Sequence, residues 1–394
     1  MNYHKWTLAL AATGVVSLPS VLSAAPPVFT AVTGTTLSGY VDTSAQWNLG
    51  TGNNNNPPYF FGGGAKADGF NLNVADVAIY KWMDDSPWAS GYHAEFWMGP
   101  DAATLGTLGS SDSFGSLGIR QAYVSLRTPI GNGIDWKLGQ FDSIIGYENL
   151  TSYANPNYTH SYGFTIEPKT QTGLLGTYKF NDSISLSAGI ANTVGPQVNG
   201  RAFPNKAESY KTYMGSVTLT APQNWGWLAG GTMSAGVING FGSKYDQNQT
   251  SWYYGVAMPT PVAGLKTGIS LDYLDVHHWR QDHPTAANDG NAWSLAYYFD
   301  YQISEDFSLN LREEYLDDQA FYFDNPGDEG EAFKVWAFTA TAQYNLWKNV
   351  TSRLEFRWDH SDSGQLFGFN QNTSSSTTSR KNAYLLALNF IYQF

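Results

Sequence analysis

Residues 381–394 read KNAYLLALNFIYQF, and from Tyr384 through Leu386, Leu388, Phe390 and Tyr392 to Phe394 every second residue is apolar. A period of two belongs to a strand, because successive side chains leave opposite faces. The other face, Ala383, Leu385, Ala387, Asn389, Ile391 and Gln393, is small at its start and polar lower down. A strand of about ten residues with rings at its carboxyl end suits a tilted bilayer crossing, since aromatic rings settle at the boundary between water and hydrocarbon. An edge strand closing a soluble sandwich carries the same pattern, so the remaining strands decide.

Residues 353–359 decide against a dry core. Leu354, Phe356 and Trp358 oppose Arg353, Glu355, Arg357 and Asp359, and charges on that second face need water or each other. Similar alternation sets Trp293, Leu295, Tyr297, Phe299 and Tyr301 against Ser294, Ala296, Tyr298, Asp300 and Gln302. Alternating runs between Gly, Pro, Asn and Asp clusters predict strands at 36–49, 69–83, 88–99, 117–128, 134–141, 170–180, 183–192, 210–221, 226–239, 250–258, 265–275, 291–302, 306–316, 333–345, 350–359 and 381–394. The links sort by parity. Those after even strands are short, such as 84–87, 181–182 and 346–349, whereas those after odd strands are long, such as 49–68, 142–169 and 360–380. A soluble sandwich has no reason to sort its loops this way; outer-membrane barrels do. The expected fold is all-β, a transmembrane antiparallel up-and-down β-barrel of about 16 strands, with short periplasmic turns, long extracellular loops and room for an aqueous lumen. Three places resist the pattern. Glu313 falls in line with Leu309 and Leu311, which implies a register slip or a bulge; 69–83 is apolar on both faces; and 225–239 is Gly-rich and weakly patterned.

Composition agrees: charged residues are 14% and aromatics 15%, with 40 Gly, while mean hydropathy is only −0.32. A helical membrane protein would be far more apolar, but a barrel gives only alternate strand residues to lipid. The amino terminus reads as a secretory signal peptide over residues 1–24, with Lys5, an apolar run from Trp6 to Leu18, and Ser23-Ala24-Ala25 for cleavage. Residues 25–394 then form one barrel domain in the outer membrane of a Gram-negative bacterium. The chain has no cysteine, which excludes disulfides and thiol sites, and a net charge of −12, which excludes a nucleic-acid partner.

From Leu117 to Thr193 the chain carries Arg120-Gln121-Ala122-Tyr123-Val124, Gly139-Gln140-Phe141-Asp142, Ile145-Gly146-Tyr147-Glu148, Asn155-Pro156-Asn157-Tyr158, Glu167-Pro168 and Thr172-Gly173. In this order, with the opening Ser38-Gly39-Tyr40-Val41-Asp42 and the closing Phe394, they resemble the OmpL-like family of beta-barrel porins. The resemblance implies an outer-membrane channel for passive passage of small hydrophilic solutes, without cofactor, and recognition of the Phe394 strand by the barrel-assembly machinery. A homotrimer is expected by analogy with other porins. The family brings no catalytic residues.

The third long link, 142–169, is the candidate constriction loop, since general porins fold such a loop into the lumen. It carries Asp142, Glu148, His160, Glu167 and Lys169. These set pore charge, or they pin the loop to the wall. Arg353, Glu355, Arg357 and Asp359 lie about 7 Å apart along one face and form either an ion-paired wall or a selectivity strip. Arg312 and Glu314 share an inward face nearby, and Arg127 and Lys137 also reach toward the lumen. His277, His278 and His283 with Asp275 and Asp282 lack zinc-motif spacing, and the acids Asp317, Asp318, Asp324, Asp328, Glu329 and Glu331 lack EF-hand spacing. Both read as solvated loops, and no metal is expected. Neither a nucleophile elbow nor a metalloprotease motif is present, so no enzyme is expected. Two functions compete: a diffusion channel, and a barrel whose aromatic outer loops act as a surface adhesin or carbohydrate binder.

Overall fold

The computed structural model describes residues 28–29, 34–50, 66, 68–104, 117–202, 209–243, 248–277, 289–319, 333–367 and 380–394. After a two-residue ladder of Val28 and Phe29 with Leu37 and Thr36, the wall consists of sixteen strands. They are β1 (Thr36–Asn48), β2 (Gly69–Lys81), β3 (Ser90–Met98), β4 (Leu117–Thr128), β5 (Ile134–Asp142), β6 (Thr170–Asn181), β7 (Ile184–Ala191) and β8 (Thr212–Thr220). The second half comprises β9 (Thr232–Phe241), β10 (Asn248–Pro259), β11 (Leu265–His277), β12 (Asp289–Gln302), β13 (Phe307–Asp318), β14 (Phe333–Trp347), β15 (Val350–Ser361) and β16 (Asn382–Gln393). Each pairs antiparallel with the next, and β16 pairs β1 from Leu385↔Asn48 to Gln393↔Tyr40, closing the cylinder. Closure leaves no free first or last strand, so ladder bonds around the wall serve backbone groups where lipid offers none.

The wall is inverted relative to a soluble protein. On β15, Leu354 is 51% exposed and Phe356 and Trp358 37% each, while Glu355, Arg357 and Asp359 are fully buried. Apolar side chains cover the outside and polar ones face inward, as the alternation predicted.

The three irregular places have separate causes. Glu313 is not displaced: β13 pairs without a shift against Tyr297 and Phe338, and the carboxylate points outward. On β2, the register shifts at Asp42/Thr43 of β1, so Asn73 and Val74 are both fully buried and the strand reads apolar on two faces. The strand expected at 226–239 begins only at Thr232. Gly226 to Leu228 form a 3₁₀ turn instead, with Gly226 and Gly230 at φ +62° and +79°, where a side chain would be strained.

Candidate functional site

The third loop leaves β5 at Asp142 and rejoins at β6, its base closed by the Ser143 amide donating to the Lys169 carbonyl at 2.9 Å. Between these points it lies inside the barrel. Its first part is apolar: Ile144, Ile145 and Tyr147 are buried with Leu175, Met214, Ile238 and Tyr253 of the β6–β10 wall, and Tyr147 stacks on Tyr298 at 4.1 Å. Two wall glycines admit this segment. A side chain at Gly236 would meet the Ile145 methyl, and one at Gly268 the Tyr147 hydroxyl.

The second part has little internal structure beyond Ser152–Ala154 and a single helical turn, α1 (Tyr162–Ile166). Its backbone therefore needs partners elsewhere, and the charge ladder of β13 and β15 supplies them. Glu355 accepts from the amides of Tyr158 (2.6 Å) and Thr159 (2.9 Å), and Glu314 from that of Tyr162 (2.6 Å). Arg312 donates to the carbonyls of Thr159 (2.7 Å) and His160 (3.1 Å), Arg357 to that of His160 (2.7 Å), and Arg353 to those of Asn157 (3.1 Å) and Ser152 (2.9 Å). Arg357 also pairs with Glu314 and Asp359, while Tyr162 donates its hydroxyl to Asp359 at 2.8 Å. Further round, the Tyr158 hydroxyl meets Ser44 of β1 at 3.0 Å.

Within the loop, Glu148 accepts from the Ser161 amide and the Tyr298 hydroxyl, and pairs with His160 at 2.7 Å and Arg312 at 3.2 Å. Burial alone would raise its pKa, but Arg312 and the His160 bond overcome this and hold the carboxyl at about 2. Burial pushes His160 down, against the pull of Glu148. Lys169, its ammonium 3.6 Å above the Phe164 ring, is pushed by burial down to about 8, with Glu167 opposing. Glu167 is raised, by burial first and then by the Asp272 carboxylate.

The residues singled out in the sequence thus fall into three groups. Arg312, Glu314, Arg353, Glu355, Arg357 and Asp359 are at most 1% exposed and bonded to the loop or to each other. Glu148, His160, Glu167 and Lys169 are buried within the loop's packing. Asp142 keeps a side chain 38% exposed while both its oxygens engage Arg120. Lys137 lies over the Tyr123 ring at 4.9 Å, and Arg127 pairs with Asp135 at 2.6 Å. His277 sits 3.5 Å from both Asp275 and Asp289; His278, His283, Asp282 and most of the acidic loop lie outside the described residues, as do 1–24 and 370–379. Among the described residues no metal-holding cluster occurs.

Beside Thr151 and Tyr153 of the loop, β1–β4, the β14–β15 turn and the Gln393–Phe394 end line a cavity of about 440 Å³ that sequence reading missed. Its polar residues Asp76, His93, Glu95 and Gln121 sit beside register shifts, at Asp42/Thr43 on β1–β2 and Glu95/Phe96 on β3–β4, which break the period of two. The surviving signal was polar residues in apolar runs.

A closed sixteen-strand wall, apolar outside and charged inside, with its third loop folded into the bore, defines the porin class of outer-membrane channels. The chain belongs to one family within it: residues 34–394 match Putative beta-barrel porin-2, OmpL-like. No curated protein matches the sequence. Among solved structures, it is similar to the anion-selective porin from Comamonas acidovorans, at 12% identity and TM-score 0.62 over 91% of this chain and 99% of that one. It is also similar to the outer membrane channel DcaP of Acinetobacter baumannii (16%, TM-score 0.58, 94% and 100%). A third is the trimer form of OmpT, an outer membrane protein of Vibrio cholerae (14%, TM-score 0.55, 91% and 99%).

Proposed function

We propose that this porin lets small hydrophilic solutes cross the outer membrane by passive diffusion, with residues 142–169 as the loop that narrows its lumen. The observation that carries this reading is the docking of that loop on the inner wall through buried charge, since a segment so anchored narrows a bore without flapping across it. The wall at β6–β9 supports it with small hydroxyl side chains, paired as Thr177 with Ser187 at 2.9 Å and Thr218 with Ser234 at 3.1 Å. Export by a signal peptide at 1–24 and assembly through the Phe394 strand complete the proposal. A homotrimer fits the small outward residues Ala75, Ala94 and Ala122 of β2–β4, which let neighbouring barrels approach closely.

Single-channel recording of the refolded mature chain in planar bilayers tests the reading. Stable conductance steps are expected. A folded barrel without conductance would overturn the channel and leave surface binding through the outer loops as the function.

A further inference from the structure

We infer that the cavity between the third loop, β1–β4 and the carboxyl-terminal end is a binding site for small organic cations, amines with a ring or short alkyl body. The inference rests on the porin reading and names the solute class that its lumen holds back. The cavity, about 440 Å³, falls within the usual size of small-molecule sites.

Its shape follows from cross-strand pairing. Inward positions on β2 are Asp76, Ala78 and Tyr80, opposite Trp97, Glu95 and His93 on β3. Ala78 is small, so the space in front of Glu95 stays open. Tyr80 stacks on His93 at 5.6 Å and His93 on Tyr123 at 5.5 Å, giving a rigid aromatic side, and Trp82 tilts against Tyr80 at 4.8 Å. Tyr153, 45% exposed and held edge-on by Tyr40 at 5.1 Å, stands across from them on the loop.

The polar atoms call for a donor. Glu95 accepts from Gln121 and lies 3.0 Å from His93 Nε2; a carboxylate only accepts, so Nε2 carries the proton. Among the described residues, His93 Nδ1 has no hydrogen-bond partner, and Asp76, only 5% exposed, lies beside Glu95 and Trp97 with no cation bonded to its carboxyl. Both residues line the cavity. The nearby cations offset its charge only in part, since the single charge of Arg120 faces three carboxylates, Asp142, Glu95 and Asp76. Arg120 donates to Asp142 and lies over the Trp97 ring at 5.2 Å, Lys137 sits on Tyr123, and Lys348 is the one lysine among the lining residues. An ammonium supplies the missing donors and the opposite charge, and its apolar body suits ring surfaces that attract cations. A carboxylate solute would meet Asp76 and Glu95 instead.

The test titrates the full mature barrel in detergent with benzylammonium, benzyl alcohol and benzoate by calorimetry against micelle blanks, alongside bilayer recordings. Benzylammonium is expected to bind at least tenfold more tightly than either analogue. Asp76→Asn and, on the loop, Tyr153→Ala should each weaken it about tenfold, while the lipid-facing Glu313→Leu binds like the parent. Equal affinity for the three probes, or unaltered binding by both cavity variants, overturns the site. Conductance is read separately: binding without conductance sinks the channel and keeps the site, and conductance without selective binding does the reverse.

Discussion

Glu313 and Glu314 are neighbours in sequence with opposite environments, and the pair shows how much one residue's face decides. Glu313 points outward between Tyr297 and Phe338, in line with Leu309 and Leu311. Lipid-facing charge near the bilayer centre costs on the order of 2–4 kcal/mol for basic residues and less for acids. Glu313→Leu is therefore expected to raise the unfolding free energy by about 1–2 kcal/mol in urea titrations with lipid vesicles. Glu314→Leu should do the opposite. It strips the Tyr162 amide and the guanidinium groups of Arg312 and Arg357 of a buried acceptor, and breaking such a pair costs roughly 3–5 kcal/mol. Equal effects from the two would refute the facing. The alignment of Glu313 with two leucines was plain in the sequence; what made it look like an error was the assumption that an outward face excludes charge.

The third loop shows where sequence reading stops. Strand period fixes which face Arg353, Glu355 and Arg357 occupy, so their inward direction was legible. Their partners are loop amides and carbonyls, and no side-chain pattern reports where a backbone will lie. The cavity at Asp76 and Glu95 was hidden for a different reason, because bulges in two adjacent ladders reset the alternation. The anchor itself makes a prediction about pH. Glu148 has its carboxyl lowered from 4.5 to about 2, so its contribution is complete above about 4.5 and is lost as pH falls through about 2. That shift corresponds to roughly 3 kcal/mol of loop anchoring. Open-channel current noise should match at pH 7 and pH 5 and grow as pH falls from 4 toward 2. Glu148→Gln should be noisy already at pH 7. Noise that rises between pH 7 and 5 in the parent would point to a different anchor.

A barrel becomes one object only when its first and last strands meet, and here a single carboxylate spans the seam. Asp42 on β1 accepts from Asn73 of β2 at 2.8 Å and from Asn389 of β16 at 2.5 Å. The seam is also sealed at its end, where Gly39 and Phe394 exchange backbone bonds of 3.1 and 3.0 Å. Since each wall strand depends on both neighbours, loosening this joint opens the whole cylinder. Asp42→Ala leaves two buried amide donors with only secondary acceptors, Ser44 for Asn73 and the Thr43 carbonyl for Asn389. The loss should be roughly 2–3 kcal/mol, or about 5 °C in the temperature at which the compact species disappears from unheated gels. Asp42→Asn keeps one acceptor and should recover part of that shift, whereas Asp84→Ala, in an exposed turn away from the seam, should change it little. If Asp42→Ala melts with the parent, closure depends on the backbone ladder alone and the carboxylate is not part of the joint.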